Sequence, residues 1–110
     1  MQISTRVENE IRVIDIVGDL DTNTAPEAEA HLTDLMNQGV NAIVVDFGKL
    51  EYISSSGLRV FLATSKRLKS EEGNMVICNL NETVEEVFDI SGFSTILNVV
   101  GSLEQAIEAL

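Results

Sequence analysis

Two short apolar runs, Ala42-Ile43-Val44-Val45 and Met75-Val76-Ile77-Cys78, constrain this chain most. Neither shows the alternation of a strand that turns one face to water. A continuous apolar stretch of this length marks a strand buried on both faces, and such strands belong to parallel sheets covered by helices. Helix-spaced apolar residues stand around the runs. Ala28, Leu32, Leu35 and Met36 form one face before the first run, and Leu58, Phe61, Leu62 and Leu68 form another between the two. Strands alternating with helices predict a mainly parallel sheet.

The flanking sequence supplies the other elements. Ile3 to Val7 and Ile11 to Val17 surround the turn signal Asn9-Glu10, which predicts a hairpin closed by Gly18. Thr24 is a good helix N-cap, Pro26 fits a first helical turn, and Gly39 ends the helix. Asp46 to Ile53 reads as a loop. The helix after Gly57 runs to about Glu71, with Lys66, Arg67 and Lys69 near its negative end. Gly73-Asn74 reads as a turn. Asn81 caps a helix carrying Val84, Val87 and Phe88, which stops at Gly92. Ile96 to Val100 is the last strand. Ser102-Leu103-Glu104-Gln105 is a capping box for a final helix lined by Leu103, Ala106, Ile107 and Leu110. The predicted order is β-β-α-β-α-β-α-β-α: an α/β fold whose mixed, mainly parallel sheet opens with an N-terminal hairpin and is covered by helices. The length of 110 residues fits one domain, and no linker, repeat or low-complexity segment divides it.

The most pointed local feature is Ser54-Ser55-Ser56-Gly57, set between Tyr52-Ile53 and the helical pattern. Serine favours a helix N-cap because its oxygen accepts a bond from an otherwise unpaired backbone N–H. Hydroxyls there sit at the positive end of the helix dipole, where a phosphate is welcome, free or covalently attached. On the residues alone the cluster reads either as an ordinary cap or as a modification site.

The same residues carry a family resemblance. Ser54-Ser55-Ser56-Gly57-Leu58 resembles the phosphorylation loop of the anti-sigma factor antagonists, which are single STAS domains with the pattern Asp-Ser-Ser/Thr-Gly-Leu. Gly18-Asp19-Leu20-Asp21 resembles the family's Gly-x-Leu-Asp. Asp46 to Ile53 resembles the approach to the serine, and Val87-Phe88-Asp89-Ile90-Ser91-Gly92-Phe93 resembles the family's late helix and its glycine stop. The resemblance runs from about Val7 to Leu110 and implies a single STAS domain over residues 1–110. It departs at Ser54, where the family has Asp, so a fixed negative charge beside the site is missing.

The resemblance implies a switch. The unphosphorylated domain binds an anti-sigma factor that is also a serine kinase, and a sigma factor is released. The kinase then phosphorylates the domain, and a phosphoserine phosphatase resets it. The domain is a substrate and a binder, with no catalytic residues and no cofactor. By position relative to Gly57, Ser55 aligns with the phosphoserine, ahead of Ser56 and then Ser54. The expected partner face comprises Asp21, Thr22, Asn23, Thr24, Ser54, Ser56, Gly57 and Arg59. Two alternatives remain: a constitutive STAS accessory subunit of a membrane lipid transporter, and a nucleotide-binding or receiver-like domain.

Composition narrows the field further. Eighteen acidic against seven basic residues give a net charge of −11. Such a surface repels nucleic acid and anionic membranes and suits a basic protein partner. The single cysteine, Cys78, allows no intrachain disulfide and no cysteine metal cluster. No signal segment or bilayer-length apolar run is present, so a cytoplasmic protein without membrane insertion is expected. The only histidine, His31, lies on the first helix, which leaves a serine triad without a base and zinc without ligands. Ser55 is followed by Gly57 but preceded by Ile53, so no nucleophile elbow exists, and no Walker motif occurs. Asp19, Asp21 and Asp46 fall at strand ends, where carboxylates can gather around Mg²⁺. Turn and cap bonding is the better reading of them, and no metal is expected.

Overall fold

The two apolar runs lie at the middle of a five-stranded sheet. A computed structural model describes residues 1–110. In chain order the elements are β1 (Gln2–Glu8), β2 (Ile11–Leu20), α1 (Ala25–Asn37), β3 (Ala42–Ile53), α2 (Ser55–Ser70), β4 (Asn74–Cys78), α3 (Glu82–Ser91), a 3-10 turn (Phe93–Thr95), β5 (Asn98–Val100) and α4 (Leu103–Glu108). Strand order across the sheet is β1-β2-β3-β4-β5. β1 is antiparallel to β2, and all later neighbours are parallel. The mixed, mainly parallel sheet opened by a hairpin is as predicted.

Both faces of the inner strands are covered, which is why those runs carry no polar residue. Ile14, Ile16, Ile43, Val45 and Ile77 point to one side, where α1, α2 and α3 supply Leu32, Phe61, Phe88 and their neighbours. Val13, Val44, Val76 and Cys78 point to the other, where α4 supplies Ala106 with Leu103 and Ile107 against it. Three helices therefore cover one face and a single short helix covers the other.

The largest departure from expectation lies at Asp46–Ile53. It is not a loop but the outer half of β3, paired in parallel with β2 as far as Leu20↔Ile53. Two register shifts interrupt the pairing, between Asp15 and Val17 and between Gly18 and Asp19, and each inserts one extra residue on the β3 side. Bulges of this kind bend a strand and break its two-residue period. Phe47, Leu50 and Ile53 consequently fall on the buried side at intervals of three, which matches neither strand nor helix when read along the sequence. β2 likewise continues past Gly18 to Leu20. Gly18 has φ +96 within the strand, a conformation that favours glycine.

Other differences are local. α2 begins at Ser55 and not after Gly57. Asn74 belongs to β4. The last strand shortens to Asn98–Val100, because Phe93–Thr95 winds into a 3-10 turn and Ile96 has helical dihedrals. Ser102 caps α4 through its Oγ, which accepts the Gln105 N–H at 3.2 Å, while the Gln105 side chain reaches back to the Gly101 N–H and not to that of Ser102. His31 is half-buried, and its Nε2 is hydrogen-bonded with Thr5 Oγ1 of β1.

Cys78 is fully buried between α4 and the sheet. Burial, helped by the charges of Asp46 and Asp15 and opposed by Arg6, pushes its thiol up from 9.0 to about 12. Below pH 9 the thiol is protonated in both folded and unfolded chains, so stability does not depend on it. Between 9 and about 12 only the unfolded chain loses the proton, and stability must fall as pH rises. The limiting slope is about 1.4 kcal/mol per pH unit. Denaturant titrations at pH 8, 9 and 10 should therefore show wild type losing stability faster than Cys78→Ala. Equal slopes would contradict the shift.

Candidate functional site: the serine turn

The site is built where β2 and β3 end together. Leu20 and Ile53 are paired and buried. The Ser54 N–H donates to the Leu20 carbonyl at 2.9 Å, so the chain leaves the sheet at a fixed point. Ser54 is extended (φ −93, ψ 172), its Oγ accepts the Gly57 N–H at 3.2 Å, and its carbonyl accepts the Leu58 N–H at 3.0 Å. Ser54 is thus the N-cap of α2.

With the cap assigned, the three serines cease to be equivalent. Ser55, the first residue of α2, is exposed. Ser56 is half-buried, and its Oγ lies 3.4 Å from Thr22 Oγ1. Ser54 is half-buried and engaged in the cap. Gly57 sets the height of the turn above the sheet. A Cβ there would stand 2.9 Å from Ile53 Cγ1 and 3.0 Å from Leu20 Cγ. Only glycine lets the first turn of α2 settle this closely on the strand ends. No acidic residue occupies that turn, whereas Arg67 and Lys69 lie in the last one. The positive end of the helix dipole is open to an added anion.

The β2–α1 loop lies alongside. Thr24 occupies the N-cap position of α1 but makes no side-chain cap bond, contrary to expectation. Its Oγ1 instead donates to the Asp19 carbonyl at 3.0 Å and accepts the Asp21 N–H at 2.9 Å. Asp21 takes the structural role. Its Oδ1 accepts the N–H groups of Asn23 at 2.9 Å and Thr24 at 3.1 Å, and its carbonyl accepts the Ala25 N–H at 2.8 Å. Aspartate closes such a turn better than threonine because its carboxylate can reach two backbone donors at once.

Of the expected partner face, Thr22, Ser56 and Arg59 line a single groove between α1 and α2, of about 740 Å³. Asp21, Asn23 and Thr24 form the turn that carries Thr22, and Ser54 and Gly57 form the base under Ser56. Sequence reasoning missed the opposite wall, where Glu29 and Asp34 of α1 line the same groove over a floor that includes Val60 and Ala63 of α2. Their only sequence signal is their position off the apolar stripe Ala28-Leu32-Leu35. Asp46 stands apart on the α4 face, where its Oδ1 accepts the Gly48 N–H at 2.8 Å and Asn79 Nδ2 at 3.1 Å. No three His, Cys, Asp or Glu side chains are arranged so that they could hold a metal ion. The turn can therefore offer an exposed hydroxyl, a phosphate-tolerant helix end and an acidic-walled groove.

Comparison with known proteins gives a consistent result. Residues 2–106 match the family of the STAS domain. The chain is 42% identical over 92 residues, 84% of its length, to BtrV of Bordetella bronchiseptica, named as an anti-sigma factor antagonist, of which it covers 79%. A crystal structure from Thermotoga maritima superposes with a TM-score of 0.92 at 21% identity, covering 97% of this chain and 92% of that one. The phosphorylated form of the Bacillus cell fate determinant SpoIIAA superposes at 0.74 with 25% identity, covering 98% of each chain.

Proposed function

This chain belongs to the anti-sigma factor antagonists of the STAS-domain family, and we propose that it is a single-domain binding module switched by phosphorylation of Ser55. Unphosphorylated, it docks its serine turn, the Asp21–Thr24 loop and the exposed side of α2 on an anti-sigma factor that is a serine kinase. The anti-sigma factor then lets go of its sigma factor. Phosphate on Ser55 ends the complex, and a phosphoserine phosphatase restores the binder. The domain acts as substrate and ligand, not as catalyst, in the cytoplasm where sigma factors work.

One observation carries this reading. Among three adjacent serines, Ser55 alone has an exposed side chain free of a cap or neighbour bond, at the open positive end of α2. Phosphopeptide mapping after incubation with the cognate kinase and ATP tests it. The phosphate is expected on Ser55, and a Ser55→Ala variant modified as fully as wild type would sink the assignment.

Asp21 is the proposed contact for a basic group of the partner, but its carboxylate also holds its own turn. Asp21→Ala confounds the two roles, since losing a cap-like acceptor costs about 1 kcal/mol. Asp21→Asn separates them by keeping Oδ1 and removing the charge. Its melting temperature should stay within a few degrees of wild type, and kinase affinity should drop roughly three- to tenfold, the effect of about 1 kcal/mol. Unchanged affinity in a calorimetric titration would remove Asp21 from the charged contacts.

A further inference from the structure

β3 outlasts its neighbour. Its pairing with β4 stops at Asp46↔Cys78, yet the strand continues to Ile53, one residue short of the cap of α2. That outer half contains both bulges and pairs with β2 along one edge only. Bulged pairing is locally disrupted pairing. A strand held this way, on one side and with interruptions, is a poor foundation for a turn whose geometry matters.

The other edge is held by two asparagine side chains. Asn79 Nδ2 donates to Asp46 Oδ1 at 3.1 Å, and the same oxygen accepts the Gly48 N–H at 2.8 Å, across the first bulge. Asn81 Nδ2 donates to the Leu50 carbonyl at 2.8 Å, immediately before the second bulge. Asn81 Oδ1 meanwhile accepts the Val84 N–H at 2.8 Å as the N-cap of α3. Beyond the last residue of β4, the Asn81 amide thus bonds the β3 backbone where a further strand would, and the Asn79 amide reaches the Gly48 N–H of the bulge through the Asp46 carboxylate. Asn79 has φ +61, a left-handed conformation that glycine adopts at lower cost. Asparagine at that position makes sense for what its side chain reaches.

We propose that Asn79 and Asn81 are positioning residues for Ser55. They hold the outer half of β3 in register and so fix Ile53, the Ser54 cap and the exposed hydroxyl after it. The link to phosphorylation rests on the reading of Ser55 given above, whereas the clamp on the turn does not.

Two substitutions remove the clamp while sparing the fold. Asn81→Asp keeps an equally good N-cap for α3 but loses the donor to Leu50. Asn79→Gly relaxes the left-handed backbone but leaves Asp46 without its amide. In the double variant, amide hydrogen exchange at Ser54 and Gly57 should speed up at least about tenfold, with exchange at Leu32 in α1 unchanged. Such a rise is what a loosened local unit gives without global unfolding. With the cognate kinase and labelled ATP, kcat/KM for transfer to Ser55 should drop at least about fivefold while the melting temperature moves by a few degrees. Wild-type exchange at Ser54 and Gly57 would overturn the clamp. Faster exchange with wild-type phosphorylation kinetics would overturn the positioning role. If wild type itself is not phosphorylated, the Ser55 reading fails, and the exchange result alone decides whether the clamp stands.

Discussion

Phosphate on Ser55 should weaken the proposed complex with an anti-sigma factor kinase more than a hundredfold and leave the domain at least as stable as before. The two effects have opposite signs because the same charge meets two environments. In the free domain the phosphate sits at the N-terminus of a helix of 16 residues with no acidic residue in its first turn. The dipole favours an anion there by roughly 0.3–1 kcal/mol. In the complex, about −1.5 to −2 charges must be dehydrated or set against the kinase's own nucleotide and acidic groups. A penalty of ~3 kcal/mol suffices for the hundredfold change. No rearrangement of the fold is required. Ser55→Asp, with a single charge, should show a smaller loss of affinity and an unchanged or slightly raised melting temperature. Ser55→Ala should bind normally and stay bound when ATP is added. Titration calorimetry and thermal melts on the three proteins read out both effects. Wild-type affinity in Ser55→Asp, together with ATP-driven release of Ser55→Ala, would favour a constitutive subunit instead.

Phe47→Ala should be the most damaging single change to stability, at about 3–5 kcal/mol. Phe47 is fully buried and meets two other rings edge-on: Phe61 of α2 at 5.2 Å and 81°, and Phe88 of α3 at 6.3 Å and 72°. Removing it empties the point where the outer half of β3 joins both helices, and it loses the ring contacts as well as the buried area. The melting temperature should drop by roughly 10–20 °C. In urea the midpoint should fall with an unchanged slope, as expected when stability changes without a change in the unfolded ensemble. A loss below about 1 kcal/mol would mean that the three-ring cluster contributes little. Because Phe47 stands within the bulged strand that ends at Ile53, beside the Ser54 cap, Ser55 of the surviving folded fraction should also be modified more slowly by the kinase.

The elements that were legible in the sequence share one property: each leaves a trace within a few residues, as an unbroken apolar run, a helical stripe or a cap. Ala42–Val45 and Met75–Cys78 are apolar without a break because α1 to α3 cover one face and α4 the other. α1 and α2 keep the spacing of one buried stripe. Asn81 and Ser102 are caps whose side chains act within three residues, so local chemistry alone identifies them. The domain's charge and the serine cluster are also properties of the chain as written, and they limit its partners before any folding.

Tertiary contacts decided the rest, and the site depends on them. The bulges in β3 change the interval of buried residues from two to three, so Phe47, Leu50 and Ile53 reveal a strand only once β2 lies beside them. Three consecutive serines are chemically equal in the sequence. The bond from the Ser54 N–H to Leu20 and the packing of Gly57 against Ile53 and Leu20 make the first a cap and the second an exposed hydroxyl. Contact with Thr22 partly covers the third. The same holds for Asp21 and Thr24, either of which could close the loop by residue type, with the carboxylate reaching the two backbone donors. Residue chemistry determined that some serine would stand at a helix start; the meeting of two strand ends under that helix decided which one faces solvent.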